Sequence, residues 1–478
     1  MQSSPFFRPS PDWVGDVIPY MDGDTLRLYY LRESRTSPKP GTPWALATTQ
    51  DLTTFEDRGV ALVGGGPDAA DFNAYTGSIV RDDDGLHHLF YTGQNPALTG
   101  EDGRPLQVVM HATSPDLEAW TKLPDDTFGA SEGYETSDWR DPFVYRTSPD
   151  GPWQMILAAR HDHGPSRRRG LIARLTSTDL CRWEPTTPLW DPHQAIAHEC
   201  PEIFRLGDWW YLVHSEFSDS FVTRYRMSRS PEGPWISPAL DTLDGRSFYA
   251  AKSADVHGRR VFIGWIASRA GDTDDGPWQW AGTMSLLEAV PREDGTLDFG
   301  IPDETFSAFP EPGPISLTPC VTAPDGYACD VGEHELPRRA HVRVELEATP
   351  DTSGYGLLLR CSGDGENGYA LRIEPRRRRM VLDRWPRPTT GTEQWQISGD
   401  VPHAIELERP LDLPDHDDRP HTLDVLMWDD ILVVSFDRRV CLSTRIHDHV
   451  SGRLGAFVTD GSLRLHRLDL HHAPDQHA

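Results

Sequence analysis

Short apolar runs recur along the first part of the chain at a nearly regular interval. Residues 26–31, 87–92, 153–159, 209–214 and 260–266 are rich in aromatic and β-branched side chains and mostly follow Gly/Asp turns, the pattern of short strands. Convincing amphipathic-helix periodicity is absent here and further along. Between the runs lies a repeated turn: Thr49-Gln50-Asp51-Leu52 with Phe55, Ser114-Pro115-Asp116-Leu117 with Trp120, and Ser177-Thr178-Asp179-Leu180 with Trp183. Ser228-Arg229-Ser230-Pro231 with Trp235 is a degenerate fourth copy. The copies recur every 50 to 65 residues or so, about the period of a propeller blade. A small sheet cannot bury both faces alone, so radial stacking completes the core, and five such units fit before Pro291. The expectation is a five-bladed β-propeller over residues 1–308, with Trp120, Trp183 and Trp235 as packing residues.

From about residue 309 the pattern changes. Pro, Gly, Ser and Thr accumulate and strand alternation fades, which predicts a linker over 309–335. Alternation returns at 342–346, 355–360, 369–373, 422–427, 432–436 and 463–468, as in an antiparallel β-sandwich occupying 336–478. The fold class expected is therefore all-β, a five-bladed β-propeller followed by a C-terminal β-sandwich. A chain of 478 residues exceeds what one core supports, in keeping with two domains.

Charge narrows the partners. A formal net charge of −28 repels a phosphate backbone, and the two basic runs, 167–169 and 376–379, lack interleaved aromatics to stack on bases, so no nucleic-acid partner is expected. No apolar run is long enough to span a bilayer and the N-terminus carries no leader pattern, so no membrane partner and a cytoplasmic location are expected. The six cysteines are scattered and read as free thiols. His111, His161, His163 and His198 show no ligand spacing, so neither metal nor cofactor is expected.

Three carboxylates sit just before strand-like stretches in different units: Asp16 in Trp13-Val14-Gly15-Asp16-Val17-Ile18-Pro19, Asp141 in Trp139-Arg140-Asp141-Pro142-Phe143, and Glu199 in His198-Glu199-Cys200-Pro201. Propellers gather ligands at the axial mouth, where each unit contributes a residue. Taken singly, Asp16 also reads as a turn residue, Arg140-Asp141 as an ion pair and Glu199 as a solvated edge charge.

Together the ordered set Gly15-Asp16, Tyr75-Thr76-Gly77-Ser78, Arg140-Asp141-Pro142 and Glu199-Cys200-Pro201 resembles glycoside hydrolase family 32, the β-fructofuranosidases. The similarity runs over essentially the whole chain, including Gly264-Trp265, Trp280-Ala281-Gly282 and Pro291-Arg292. It implies a retaining hydrolase that releases fructose from sucrose or short fructo-oligosaccharides, with Asp16 as nucleophile, Glu199 as acid/base and Asp141 as transition-state stabiliser. Such chemistry needs one carboxylic acid to protonate the leaving oxygen and one carboxylate to attack. Burial and anionic neighbours should raise the Glu199 pKa, while Arg140 should hold Asp141 ionised.

The resemblance fails at one place. Where the family pattern has Asn-Asp-Pro, this chain has Gly15-Asp16-Val17, so side-chain bonds from that Asn to the sugar are missing. Expected substrate contacts are Arg140, Tyr75, Thr76 and Ser78, with Trp44, Trp139, Trp265 and Trp280 as an apolar wall, although each tryptophan also reads as core. The partner is a small-molecule carbohydrate. The sandwich is expected to brace the propeller or mediate a homo-oligomer. Alternatives are a fructosyltransferase of the same family, an arabinofuranoside or xyloside hydrolase of the related family 43, and a non-catalytic carbohydrate-binding propeller.

Overall fold

The computed structural model describes residues 3–386, 407–414 and 419–474. Strands dominate, and the helical turns among the described residues are short 3-10 segments. The chain forms two compact units, one of Met1–Leu243, Phe248–Ile266 and Ala281–Leu297, the other of Asp244–Ser247, Ala267–Trp280 and Asp298–Ala478. A single cut at residue 308 therefore does not separate them, because Asp244–Ser247, Ala267–Trp280 and the stretch from Asp298 onward cluster with the second unit.

The first unit is a run of antiparallel meanders. The first meander is β1 (Trp13–Asp22), β2 (Thr25–Glu33), β3 (Trp44–Thr49) and β4 (Glu56–Leu62). The second is β5 (Asn73–Arg81), β6 (His87–Thr99), β7 (Pro105–Ser114) and β8 (Thr121–Lys122). The third is β9 (Tyr134–Tyr145), β10 (Trp153–His161), β11 (Gly170–Ser177) and β12 (Glu184–Pro185). β13 (Glu199–Leu206), β14 (Trp209–Glu216) and β15 (Val222–Ser228) follow, with a Met227–Ile236 bridge in place of a fourth strand. Last come β16 (Phe248–Val256), β17 (Arg259–Arg269), β18 (Trp278–Pro291) and β19 (Leu297–Gly300). The first strands touch in cyclic order, β1 to β5 to β9 to β13 to β16 and back to β1, and β18 bridges β1 at Val14–Gly282. Meanders standing side by side around one axis make a β-propeller. The apolar runs read from the sequence are the second strands, which are buried on both faces between neighbouring sheets.

The repeated turns are built alike. In each, the Ser or Thr ending the third strand accepts a hydrogen bond from the Leu N–H, at 2.9 Å in all three: Thr49 from Leu52, Ser114 from Leu117, Ser177 from Leu180. The intervening Asp accepts the next two backbone N–H groups, as Asp179 does from Cys181 and Arg182 at 2.9 and 2.8 Å. Each Leu is left-handed, with φ of 61°, 64° and 62°, so the turn directs an apolar side chain back into the core. Trp120, Trp183 and Trp235 pack against successive inter-sheet clusters.

The second unit is a β-sandwich organised by one long strand. Its elements are β20 (Glu311–Pro312), β21 (Cys320–Glu335), β22 (Arg339–Ala348), β23 (Gly354–Cys361), β24 (Gly368–Glu374) and β25 (Arg379–Trp385), then β26 (Leu407–Pro410), β27 (His421–Trp428), β28 (Ile431–Phe436), β29 (Val440–Arg445) and β30 (Arg453–His472). β30 pairs with β23 through its first half and with β22 through its second, so it passes from one layer to the other. The linker expected over 309–335 is corrected here: Cys320–Glu335 is a 16-residue strand on β30. Two register shifts, between Ala323 and Tyr327 and between Val331 and Glu335, break its alternation, and most of its side chains are exposed, which hid it.

Candidate active site

Each of the five first strands carries a bulge. Gly15 and Asp16 occupy β1 between the pairs Val14–Arg32 and Val17–Tyr30, two residues against one. Thr76 is the extra residue of β5, between Tyr75–Thr92 and Gly77–Tyr91. Asp141-Pro142 bulges from β9, Cys200-Pro201 from β13 and Ala250-Ala251 from β16, each against a single partner position. Bulges re-aim side chains and mark functional sites. Here they turn the ladder outward at one level of the ring, and Asp141, Cys200 and Ala250 take left-handed φ of 60°, 50° and 52° to do so. Those conformations are unfavourable for residues with a Cβ and persist only where the surroundings fix them. Gly77 answers the same geometry: a Cβ there would lie 1.8 Å from the Phe90 carbonyl oxygen.

The bulges bring the three predicted carboxylates together. The Cys200 N–H donates to Asp141 Oδ2 at 2.9 Å, and its thiol reaches Asp16 Oδ2 at 3.7 Å, so one residue touches two of the carboxylates and is bonded to the third. The Asp141 N–H donates in turn to Thr92 Oγ1 at 2.8 Å. Trp265 Nε1 donates to Asp16 Oδ1 at 3.0 Å. Glu199 accepts twice, from Arg140 Nη2 at 3.1 Å and from the Tyr249 hydroxyl at 2.6 Å. Tyr249 is stacked on Phe221 at 4.0 Å, which fixes its ring. Asp141 is buried, whereas Asp16 and Glu199 are partly open to solvent.

Arg140 does not serve Asp141 first, contrary to the expectation. Its Nη1 lies 2.5 Å from Asp138 and its Nη2 bonds Glu199, while its Nε stands 3.8 Å from Asp141. The reason is the bulge: Asp141 leaves the strand register directly after Arg140, so the guanidinium reaches across to the next meander instead.

Burial and the neighbouring carboxylates push the Asp16 pKa up to about 7 against the partial relief of Trp265 and Lys252. Glu199 is also raised, by burial and by Asp141, with Arg140 and Tyr249 pulling it back. Lys252 is buried close by, its Nζ donating to the Gly77 carbonyl at 2.8 Å. The Cys200 thiol is held well above its ordinary range by burial and the surrounding anions, so it acts as a neutral donor.

The other predicted contacts divide. Tyr75 is half-buried and near enough to Asp16 that burial, Glu33 and Asp16 push its hydroxyl up to about 12. Thr76 is wholly buried, with no hydrogen-bond partner for its hydroxyl. Ser78 accepts the Val144 N–H at 2.9 Å and ties β5 to β9. Trp44 and Trp139 are corrected from sugar-facing wall to core: both are wholly buried in inter-sheet clusters, and Trp44 Nε1 donates to the Tyr75 carbonyl. Trp265 is buried too and acts through its indole N–H. Trp280 lies in the second unit. Sequence reasoning missed Tyr249, Lys252, Thr92 and Asp138. Tyr249 and Lys252 flank a bulge in β16, and the head of that strand, like that of β5, carries no carboxylate to draw notice.

The family model for the glycosyl hydrolases family 32 N-terminal domain matches residues 7–297. The chain belongs to glycosyl hydrolase family 32. Curated family 32 relatives include the Escherichia coli sucrose-6-phosphate hydrolase, 29% identical over 273 residues, covering 53% of this chain and 54% of that protein. The Escherichia coli raffinose invertase is 29% identical over 315 residues, covering 61% and 63%. The chain thus spans between half and two thirds of the length of these relatives. Among solved structures, the Aspergillus awamori exo-inulinase superposes with a TM-score of 0.75 at 18% identity, covering 99% of this chain and 98% of that one, which shows a shared propeller-and-sandwich fold.

Proposed function

We propose that this family 32 protein is a retaining β-fructofuranosidase, cleaving sucrose or short fructo-oligosaccharides through a covalent fructosyl intermediate, and that its five meanders are five propeller blades. The convergence of Asp16, Asp141 and Glu199 on Cys200 carries the reading. The names of the sucrose-6-phosphate hydrolase, raffinose invertase and exo-inulinase relatives support the substrate class.

In this mechanism Glu199 protonates the glycosidic oxygen as the Asp16 carboxylate attacks the anomeric carbon, and the C–O bond to the leaving group breaks. Glu199, now ionised, takes a proton from the incoming water, which displaces Asp16 and frees fructose with its configuration retained. Asp141, buried and anchored by the Cys200 N–H, binds sugar hydroxyls. Arg140 and Tyr249 hold the Glu199 carboxylate in place and stabilise its ionised form between the two steps. Gly15 contributes no side chain to the innermost subsite, so Asp141 and Tyr75 carry more of the sugar contacts there.

Product release from sucrose, inulin-type and levan-type oligosaccharides and aryl arabinofuranosides, with the first-formed anomer followed by NMR, tests this. Free β-fructose from wild type, lost in Asp16→Asn and Glu199→Gln, is the expected result. Turnover of the arabinofuranoside alone, with inversion, would reject it.

A further inference from the structure

Away from the carboxylate site, a line of titratable groups runs from the β5–β6 turn to the β11–β12 turn. Asp82 accepts the Leu86 N–H through Oδ1 at 2.7 Å, and its Oδ2 lies 3.2 Å from His88 Nε2. His88 Nδ1 lies 2.9 Å from His111 Nε2, and His111 Nδ1 lies 2.7 Å from Asp126 Oδ2. Both imidazoles are buried, and Phe90 stacks on His111 at 4.4 Å. Beyond them stands Cys181, whose sulfur and the donor atoms of His111 and Asp126 all lie within 4.8 Å of one another. Residues 111, 126 and 181 have no ligand spacing in sequence; the fold alone assembles them.

Proton accounting shows what the line lacks. A neutral imidazole carries one N–H and one lone pair. Asp82 takes the N–H of His88 at Nε2, so His88 Nδ1 is a lone pair and takes the N–H of His111 at Nε2. His111 Nδ1 is then also a lone pair, facing a carboxylate oxygen. Two acceptors repel at that distance, so the line is one cation short. A proton on either imidazole would meet the deficit and leave the Cys181 thiol as a hydrogen-bond donor to Asp126. A divalent ion would use all three, since imidazole, carboxylate and thiolate with one water make a tetrahedral zinc-type donor set. A ligating histidine whose other N–H is held by a hydrogen-bonded partner is also the usual outer arrangement of such a site.

We propose that His111, Asp126 and Cys181 bind a zinc-type divalent ion, clipping the β11–β12 turn of the third meander to the second. Ligand atoms about 2.0–2.3 Å from the ion sit roughly 3.3–3.8 Å apart, so Asp126 draws back from His111 and the exposed Cys181 closes in, its thiol losing a proton on binding. The more open trio His161, Asp191 and His193 carries no thiol, and there Asp191 Oδ2 lies 2.9 Å from His161 Nε2.

Titration of the chelator-stripped, reduced protein with Co²⁺ tests this, because only a thiolate ligand gives sulfur-to-cobalt charge-transfer absorption. One equivalent should produce the band, Zn²⁺ should displace it, and Zn²⁺ should raise the melting temperature. Cys181→Ser, at an exposed position, should remove the band and the thermal shift. Cys320→Ser, at another exposed thiol, should keep both. His88→Gln should weaken binding about tenfold. No band in the wild type would mean that the line holds a proton instead, and a band surviving Cys181→Ser would place the ion elsewhere; either overturns the proposal.

Discussion

The two ends of the propeller strands use the same residue type to opposite effect. In the turns after the third strands, Asp51, Asp116 and Asp179 each accept backbone N–H groups, and these bonds hold their pKa values below the ordinary carboxylate range. At the bulges of the first strands, Asp16 and Glu199 are crowded with a third carboxylate, and burial drives both upward. The turn aspartates stabilise the fold by being ionised. The bulge carboxylates are ionised at the fold's expense, which is the condition for moving protons near neutral pH. Position along the repeat, not residue identity, decides which role an Asp takes.

The largest break in that comparison is in turnover. Asp16→Asn removes the carboxylate proposed to attack and should lower kcat on sucrose or an inulin-type oligosaccharide by about 10⁴-fold or more, while Glu199→Gln should cost about 10²–10⁴-fold. Asp116→Asn, at the other end of a blade, should leave kcat unchanged. Steady-state fructose release checks all three, and a kcat loss in Asp116→Asn equal to that in Asp16→Asn would erase the distinction.

Stability should move the other way. The folded-state pKa of Asp16, about 7, lies above its ordinary 3.8, so its contribution is favourable only below about pH 4 and is lost as pH rises through 7. Above pH 7 its ionisation costs the fold on the order of 2 kcal/mol, after allowance for its partial exposure. Asp16→Asn should therefore be more stable than wild type by about that amount at pH 8 and no more stable at pH 4. Urea unfolding at the two values tests this, with equal stability at pH 8 as the contrary outcome. Ser177→Ala should do the reverse on a smaller scale, because the lost acceptor for the Leu180 N–H costs about 1 kcal/mol.

Much of this was legible in the sequence because the fold is a repeat. The second strands betray themselves by being apolar on both faces, and the Ser/Thr-x-Asp-Leu turns by needing one hydroxyl, one carboxylate and one buried Leu in fixed order. The first strands are harder to see. Their bulges break alternation at Gly15-Asp16, Thr76, Asp141-Pro142, Cys200-Pro201 and Ala250-Ala251, so the stretches that build the site are those where the period fails. β21 was lost for the same reason. Trp139 lies beside Arg140-Asp141 in sequence, yet it and Trp44, at the head of the wholly buried β3, face the core, and no motif reveals that Tyr249 from the last meander reaches Glu199.

Tyr249 supplies the smallest and sharpest prediction. Its hydroxyl donates to Glu199 Oε2 at 2.6 Å and lowers the pKa of a group that burial has raised. In the proposed mechanism Glu199 is protonated for the first step, so the basic limb of kcat/KM should report it, while the acidic limb should report the group that is ionised there, Asp16. The two titrate as a coupled pair with macroscopic values. Arg140 and Tyr249 favour the Glu199 anion, whereas Asp16 receives only an indole N–H and a thiol. Tyr249→Phe removes one donor from the Glu199 anion, so the basic limb should shift upward by about half a pH unit and the profile should broaden. A purely structural role for Tyr249 would lower kcat/KM uniformly across pH, and a downward shift of the basic limb would mean that the hydroxyl favours the protonated acid.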